Sequence, residues 1–200
     1  MRKICVLLAA LILLGVVIAT DAIAQAAPPG DKTATYNFQQ RAVVELKGVQ
    51  REIVRLAQAM PQEKYTWRPG EGVRSVSEVY LHMAAANFGL TALTGATPYP
   101  GFKFQGFEKS TTDKAQIIDL LTKSFEYAET NIGNLSDADL VRPIKFQDYS
   151  NVGDMVFHIV AHAHEHLGQS IAYARVNGIV PPWTAERQQQ QQQTQPRPPQ

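Results

Sequence analysis

Apolar side chains recur every three or four positions along four stretches of this chain, and no convincing strand-like alternation lies between them. At 3.6 residues per turn, this spacing places the apolar side chains on one face of a helix. The sequence therefore predicts four amphipathic helices that pack as an all-α four-helix bundle. The first helix covers about residues 36–60 and stops at Pro61, which cannot continue a helix. Its apolar stripe consists of Val43, Leu46, Val49, Ile53, Leu56 and Met60.

Polar capping residues mark where the second and third helices begin. Ser75 and Glu78 have the spacing of a capping box, and Gly95 is typical of a helix end. The inward stripe of the second helix consists of Val79, His82, Met83, Ala86, Leu90 and Leu93, so a histidine lies among apolar residues. Residues 110–113 cap the third helix. The inward stripe of the third helix contains no histidine and no paired carboxylates. We therefore interpret this helix as a structural element without ligand or catalytic residues.

The fourth helix begins near Asn151 and ends at residues 177–178, ahead of two prolines that forbid any continuation. It carries four of the five histidines of the chain. Its inward stripe consists of Met155, Ile159, His162, His166, Gln169 and Tyr173. Two histidines thus occupy positions where a packed core would normally have leucine or isoleucine.

The spacing of these histidines indicates a metal site. His158, His162 and His166 follow one another at intervals of four residues and share a helix face, whereas His164 points roughly 200° away from His162. Buried imidazoles cost free energy unless their nitrogens are satisfied, and one metal ion satisfies two of them at once. The alternative to a metal site is a purely structural role, in which the histidines are hydrogen-bonded residues of the core.

His82, on the inward face of the second helix, supplies a third nitrogen. His82, His162 and His166 together predict a three-histidine site that leaves coordination positions open for water or substrate, as catalytic sites do. Imidazole ligands suit several divalent ions, so zinc, nickel or a similar metal is expected. No carboxylate is placed convincingly as a general base, because Glu165 is turned roughly 100° from the histidine stripe.

Both ends of the chain differ from the helical region. Residues 1–24 have a basic start, an apolar run and an Ala22-Ile23-Ala24 cleavage signal, which predicts a cleaved signal peptide and a periplasmic or secreted protein. The apolar run is shorter than the roughly 20 residues of a membrane span. Cys5, the only cysteine, would leave with this peptide. Residues 186–200 are rich in Gln and Pro and are predicted to be disordered, which leaves residues 34–185 for the bundle.

The charge of the processed chain excludes two classes of partner. Removal of residues 1–24 leaves 19 − 2 = 17 basic against 18 − 1 = 17 acidic side chains, so the predicted mature protein is neutral. No basic patch favours nucleic acid, and no membrane span is expected after cleavage. Motifs for a nucleophile elbow, a phosphate loop, a dinucleotide fold or a zincin are also missing from the sequence. The expected partner is an unknown small-molecule substrate.

Several segments taken together resemble the DinB/YfiT-like family of proposed metalloenzymes. They are residues 60–65, 67–69, 74–76, 81–84, 162–169 and 175–182, so the resemblance extends from about residue 36 to 182. The resemblance implies a four-helix bundle in which His82, His162 and His166 hold a divalent metal, and it implies that dimers are frequent. Relatives include thiol-dependent transferases, isomerases and hydrolase-like enzymes.

Two features depart from the family pattern. Glu165 stands where many relatives have a further histidine, and the signal peptide would export the protein away from the cytoplasmic thiol cofactors of the transferase branch. Both argue against thiol transfer. Two functions remain open: a metal-dependent enzyme of hydrolase or transferase type, and a non-catalytic module that binds metal or a small molecule.

Overall fold

A computed structural model describes residues 36–194 of the chain. The predicted signal peptide, residues 1–24, lies outside the described residues. In chain order the elements are α1 (Phe38–Ala59), α2 (Val76–Leu93), α3 (Lys114–Gly133), α4 (Asp137–Leu140), β1 (Pro143–Phe146), β2 (Tyr149–Asn151), α5 (Val152–Val176) and α6 (Pro182–Thr194). Two short 3-10 turns, Gln62–Lys64 and Phe107–Lys109, lie in the connections before α2 and α3.

The long helices begin at side chains that satisfy the free amides of a first turn. Ser75 accepts from the backbone of Glu78 while the Glu78 carboxylate accepts from the backbone of Ser75, as the capping box predicts. The side chain of Asp113 accepts from the backbone of Gln116 at the start of α3, and that of Asn151 accepts from the backbone of Asp154 at the start of α5. The predicted starts of α2, α3 and α5 are therefore confirmed, and α1 begins two residues after its predicted start.

The four long helices form a mostly helical bundle around one apolar core. Helices α1 and α2 each pack against both α3 and α5. The largest fully buried side chains come from α1, α2, α3 and the turn after α1, and include Leu46, Ile53, Tyr65, Phe88 and Phe125. Full burial of such a side chain contributes about 1.5–3 kcal/mol. The helices that carry the histidines are thus fixed to each other by a packed interior.

A two-stranded hairpin precedes α5, although the sequence pattern predicted no strand. Strands β1 and β2 pair antiparallel, with Phe146 opposite Tyr149, and Gln147 makes the turn with a positive φ of 50°. Strands of four and three residues are too short to produce a recognisable alternation of apolar and polar positions. The hairpin matters because it places Tyr149 against α5.

The structure also differs from the sequence prediction at the C-terminal end. Helix α6 covers Pro182–Thr194, where disorder was predicted from residue 186 onward. Proline is favoured at the first position of a helix, and glutamine is a good helix former, so the composition that suggested disorder is compatible with a helix. Trp183 packs against the core and Glu186 pairs with Arg55 of α1. None of the helices in residues 36–194 is both long and apolar enough to cross a membrane.

Candidate metal centre

Three histidine side chains from two neighbouring helices converge on one point. His82 comes from α2, and His162 and His166 come from α5, one helical turn apart. The Nε2 atom of His162 lies 3.1 Å from Nε2 of His82 and 3.1 Å from Nε2 of His166. One ligand nitrogen from each residue lies within 4.8 Å of the other two. The structure thus brings together the three residues that the sequence singled out, as a group that could hold a metal ion.

The donor set fits a divalent transition metal. Two nitrogens that share one zinc ion at about 2.0–2.1 Å lie about 3.0–3.5 Å apart, which includes the spacing seen here. His166 is 6% exposed, and the His82 side chain is 18% exposed. The site is therefore shielded from bulk water without being closed.

A carboxylate fixes the orientation of His82. Glu108, in the 3-10 turn after α2, places Oε1 2.6 Å from Nδ1 of His82, and Arg74 Nε donates to Glu108 Oε2 at 2.7 Å. Burial alone would raise the pKa of Glu108, but the hydrogen bonds from Arg74 and His82 outweigh it and the pKa is lowered. An ionised carboxylate only accepts, so Nδ1 of His82 carries a hydrogen, and in the neutral ring Nε2 then presents a lone pair.

An amide plays the same part for His166. Gln169 Nε2 donates to the hydroxyl of Tyr173 at 3.1 Å, which leaves Gln169 Oε1 to accept from Nδ1 of His166 at 2.8 Å. The Tyr173 hydroxyl in turn donates to the backbone carbonyl of Arg74 at 3.1 Å. Nε2 of His166 therefore also directs a lone pair toward His162. Arg74 supports both orienting contacts: its side chain donates to Glu108, the partner of His82, and its backbone carbonyl accepts from Tyr173, the partner of Gln169.

These tautomers leave His162 with more lone pairs than hydrogens. Burial, and then the proximity of the titratable rings of His166 and His82, lower the pKa of His162 to about 3, so its ring is neutral near pH 7. A neutral imidazole has at most one hydrogen on Nε2 and can donate to one neighbour only. At least one of the two 3.1 Å contacts then joins two lone pairs. A shared cation turns that repulsion into two bonds, which is the strongest physical sign that these residues fit a metal.

The remaining two histidines are separate from this group. His158 stacks on Tyr149 and places Nδ1 2.8 Å from the tyrosine hydroxyl. His164 is exposed on another face of α5, with Nε2 3.6 Å from a Glu45 carboxylate oxygen. The predicted divergence of His164 from the stripe is confirmed. Within residues 36–194, the group with metal-ligand spacing consists of His82, His162 and His166.

A cleft of about 580 Å³ adjoins the centre. Glu108 and Gln169 belong both to the cleft wall and to the set of residues that orient the ligands. The loop before α2 supplies Arg68 and Arg74, and the 3-10 turn adds Lys109. Its volume is in the range of small-molecule sites.

Sequence reasoning missed Glu108, Arg74 and Tyr149. All three lie outside the four long helices, so no periodic pattern assigns them to a face. A carboxylate in the connection between α2 and α3 was the available signal for Glu108, and its pairing with His82 depends on how that connection folds back.

A helical bundle with a three-histidine centre is the class of protein that the fold and the site define. Residues 45–170, more than half of the chain, match the family model of the DinB superfamily, and the chain belongs to that superfamily. The crystal structure, at 2.01 Å resolution, of a DinB-like protein from Bacillus cereus ATCC 10987 is similar, with a TM-score of 0.60. The identity is 18% over 72% of this chain and 93% of that chain, a likeness that shows the fold alone. No curated protein sequence matches this chain.

Proposed function

We propose that His82, His162 and His166 hold a divalent ion, zinc, nickel or a similar metal, and that the protein is a metal-dependent enzyme of hydrolase or transferase type. The observation that carries the proposal is the convergence of three histidine Nε2 atoms at 3.1 Å contacts, with His82 oriented by Glu108 and His166 oriented by Gln169. Membership of the DinB superfamily supports the metal assignment.

An ion held by three imidazoles supplies Lewis-acid chemistry at coordination positions that the protein leaves open. The chain's own residues keep that site in order. Glu108 and Gln169 hold His82 and His166 in the tautomer that presents Nε2. The half-buried surroundings limit access of water, and the cleft lets a small molecule reach the residues that border the ligands.

Export to the periplasm or secretion is part of the proposal and depends on the signal-peptide pattern of residues 1–24. Mass spectrometry of the exported protein tests it, with cleavage after Ala24 as the expected result. A chain that still begins at Met1 would overturn the export proposal. It would leave the metal proposal intact, because the three histidines lie far from that segment in the sequence.

The function is tested with mature protein purified without chelator. Elemental analysis is expected to find about one divalent ion per chain. The loaded protein is then assayed on ester, amide and thioester substrates and in group-transfer reactions, beside a His82→Ala variant. Metal without any turnover would favour the non-catalytic binding module. Absence of metal after supply of zinc and nickel would refute the whole proposal.

A further inference from the structure

The cleft beside the metal centre has an unequal balance of charge. Arg68, Arg74 and Lys109 contribute three cations to its wall, against the two carboxylates of Glu78 and Glu108. The predicted mature chain as a whole is neutral, so this local excess does not follow from the overall composition. A divalent ion at the adjacent histidines would add to it.

Both carboxylates of the cleft already have partners within the protein. Glu78 accepts from the backbone of Ser75 at 2.7 Å and lies 3.2 Å from Arg68. The Ser75 backbone, together with Arg68, holds the pKa of Glu78 below its usual value against the opposing effect of burial. Glu108 is engaged by Arg74 and His82. Neither carboxylate is therefore presented to a ligand as an unpaired acceptor.

Arg74 and Lys109 have N–H donors that no group of the described residues accepts. A guanidinium has five N–H donors, and Arg74 directs its Nε and one terminal nitrogen to Glu108. The Arg74 side chain is 42% exposed, so its remaining donors are accessible from the cleft. Across residues 36–194 the Lys109 ammonium has no hydrogen bond or ion pair. Donors without acceptors in a small-molecule-sized cleft select a ligand that brings its own negative oxygens.

We propose that this cleft binds an anionic group of the substrate, a carboxylate or a phosphate, through Lys109, Arg74 and Arg68. The proposal depends on the proposed function, since it names the substrate class of the same site. An oxyanion bound by these cations would lie beside the residues that orient His82 and His166. The remainder of the substrate would thereby be held next to the metal.

Matched probes test this proposal on the metal-loaded full-length mature protein. Benzoate, phenyl phosphate and neutral benzamide share one ring and differ in the charged group, and their affinities are measured by calorimetry at constant ionic strength. The main variant is Lys109→Met, since Lys109 is exposed and lines the cleft. Lys103→Met is the control, because Lys103 is exposed on the same connection but lies outside the cleft wall.

At least one anion is expected to bind more tightly than benzamide, and Lys109→Met should weaken that anion about tenfold. The anion with the higher affinity identifies the group. Equal affinities for all three probes, or equal losses in Lys109→Met and Lys103→Met, would overturn the proposal. Metal content is measured on the same samples, so that a loss of metal is recorded separately from a loss of anion binding. Arg68→Met, checked for an unchanged melting temperature, should give a second loss of affinity.

Discussion

The Glu108 carboxylate lies 2.6 Å from Nδ1 of His82, on the side of the ring opposite to the nitrogen that faces His162. This contact joins a connecting segment to a helix residue 26 positions earlier in the chain. It fixes the His82 tautomer before any metal arrives. A ligand set whose protons are already in place has less to rearrange when an ion binds.

Replacement of Glu108 is therefore expected to weaken metal binding without abolishing it. Glu108→Ala removes the acceptor at Nδ1 of His82 and frees Arg74, and loss of such an orienting partner typically costs 10–100-fold in metal affinity. Competition with a chromogenic chelator measures the change. Glu71→Ala, in the exposed loop before α2, is the matched control and should retain the affinity of the unmodified protein. Equal affinities for all three proteins would show that Glu108 does not support the site.

Replacement of a proposed ligand histidine should remove the metal, whereas replacement of His164 on α5 should not. His82→Ala, His162→Ala and His166→Ala each remove one of three converging nitrogens, and each should lose the bound ion. His164→Ala is the control, because His164 is exposed and turned toward Glu45. Elemental analysis after gel filtration decides the outcome. Loss of metal in His164→Ala together with retention in His162→Ala would contradict the ligand assignment.

Much of the fold and the three central residues could be predicted from the sequence, because both depend on helical periodicity. The stripe that places Ile159 in the core also places His162 and His166 facing inward, and the same applies to His82 beside Val79. The hairpin that carries Tyr149 and the position of Glu108 could not be predicted in this way. They depend on contacts between segments without a repeating pattern, which form only when the connections fold back on α2 and α5.

Acidification is expected to destabilise the metal-free protein. The pKa of His162 is about 3 in the folded state against an ordinary value of 6.5, because burial disfavours the charged ring. Below pH 6.5 the unfolded chain binds a proton that the folded chain does not, so the free energy of unfolding falls as the pH drops toward 3. One such proton changes it by up to about 1.4 kcal/mol per pH unit. Urea unfolding of chelated protein between pH 7.5 and pH 4.5 measures the slope.

The corresponding variant is His162→Asn, which has no group that titrates in this range. Its stability should depend less on pH than that of the unmodified protein. His164→Asn serves as the control, since His164 is exposed, and it should keep the original slope. Identical slopes in all three proteins would show that His162 does not carry the effect.

The C-terminal part of α6 is expected to contribute little to the stability of the protein, whereas the first turn of α6 should contribute measurably. Removal of residues 187–200 takes away the exposed glutamine run at 188–193, and it should leave the melting temperature and the metal content unchanged. Trp183 packs against the core, so Trp183→Ala should cost more than about 1 kcal/mol of stability. Thermal melting of the two variants compares these contributions. A large drop on deletion would show that the glutamine segment docks on the bundle.

Metal is expected to stabilise the bundle without being required for it. The core contains fully buried residues from α1, α2, α3 and α5, unlike the small cores that depend on a structural zinc. An ion that binds only the folded state still adds RT ln(1 + [L]/Kd), about 2.7 kcal/mol at a hundredfold excess over Kd. That gain should fade on acidification, because ligating imidazoles must be neutral, and the lowered pKa values of His162 and His166 place the loss below the 6.5 of free imidazole. Melting with and without chelator at pH 7.5 and pH 4.5 checks both statements. A chelated protein that is already unfolded at pH 7.5 would make the centre structural, and the open, catalytic type of site proposed for these histidines would then be refuted.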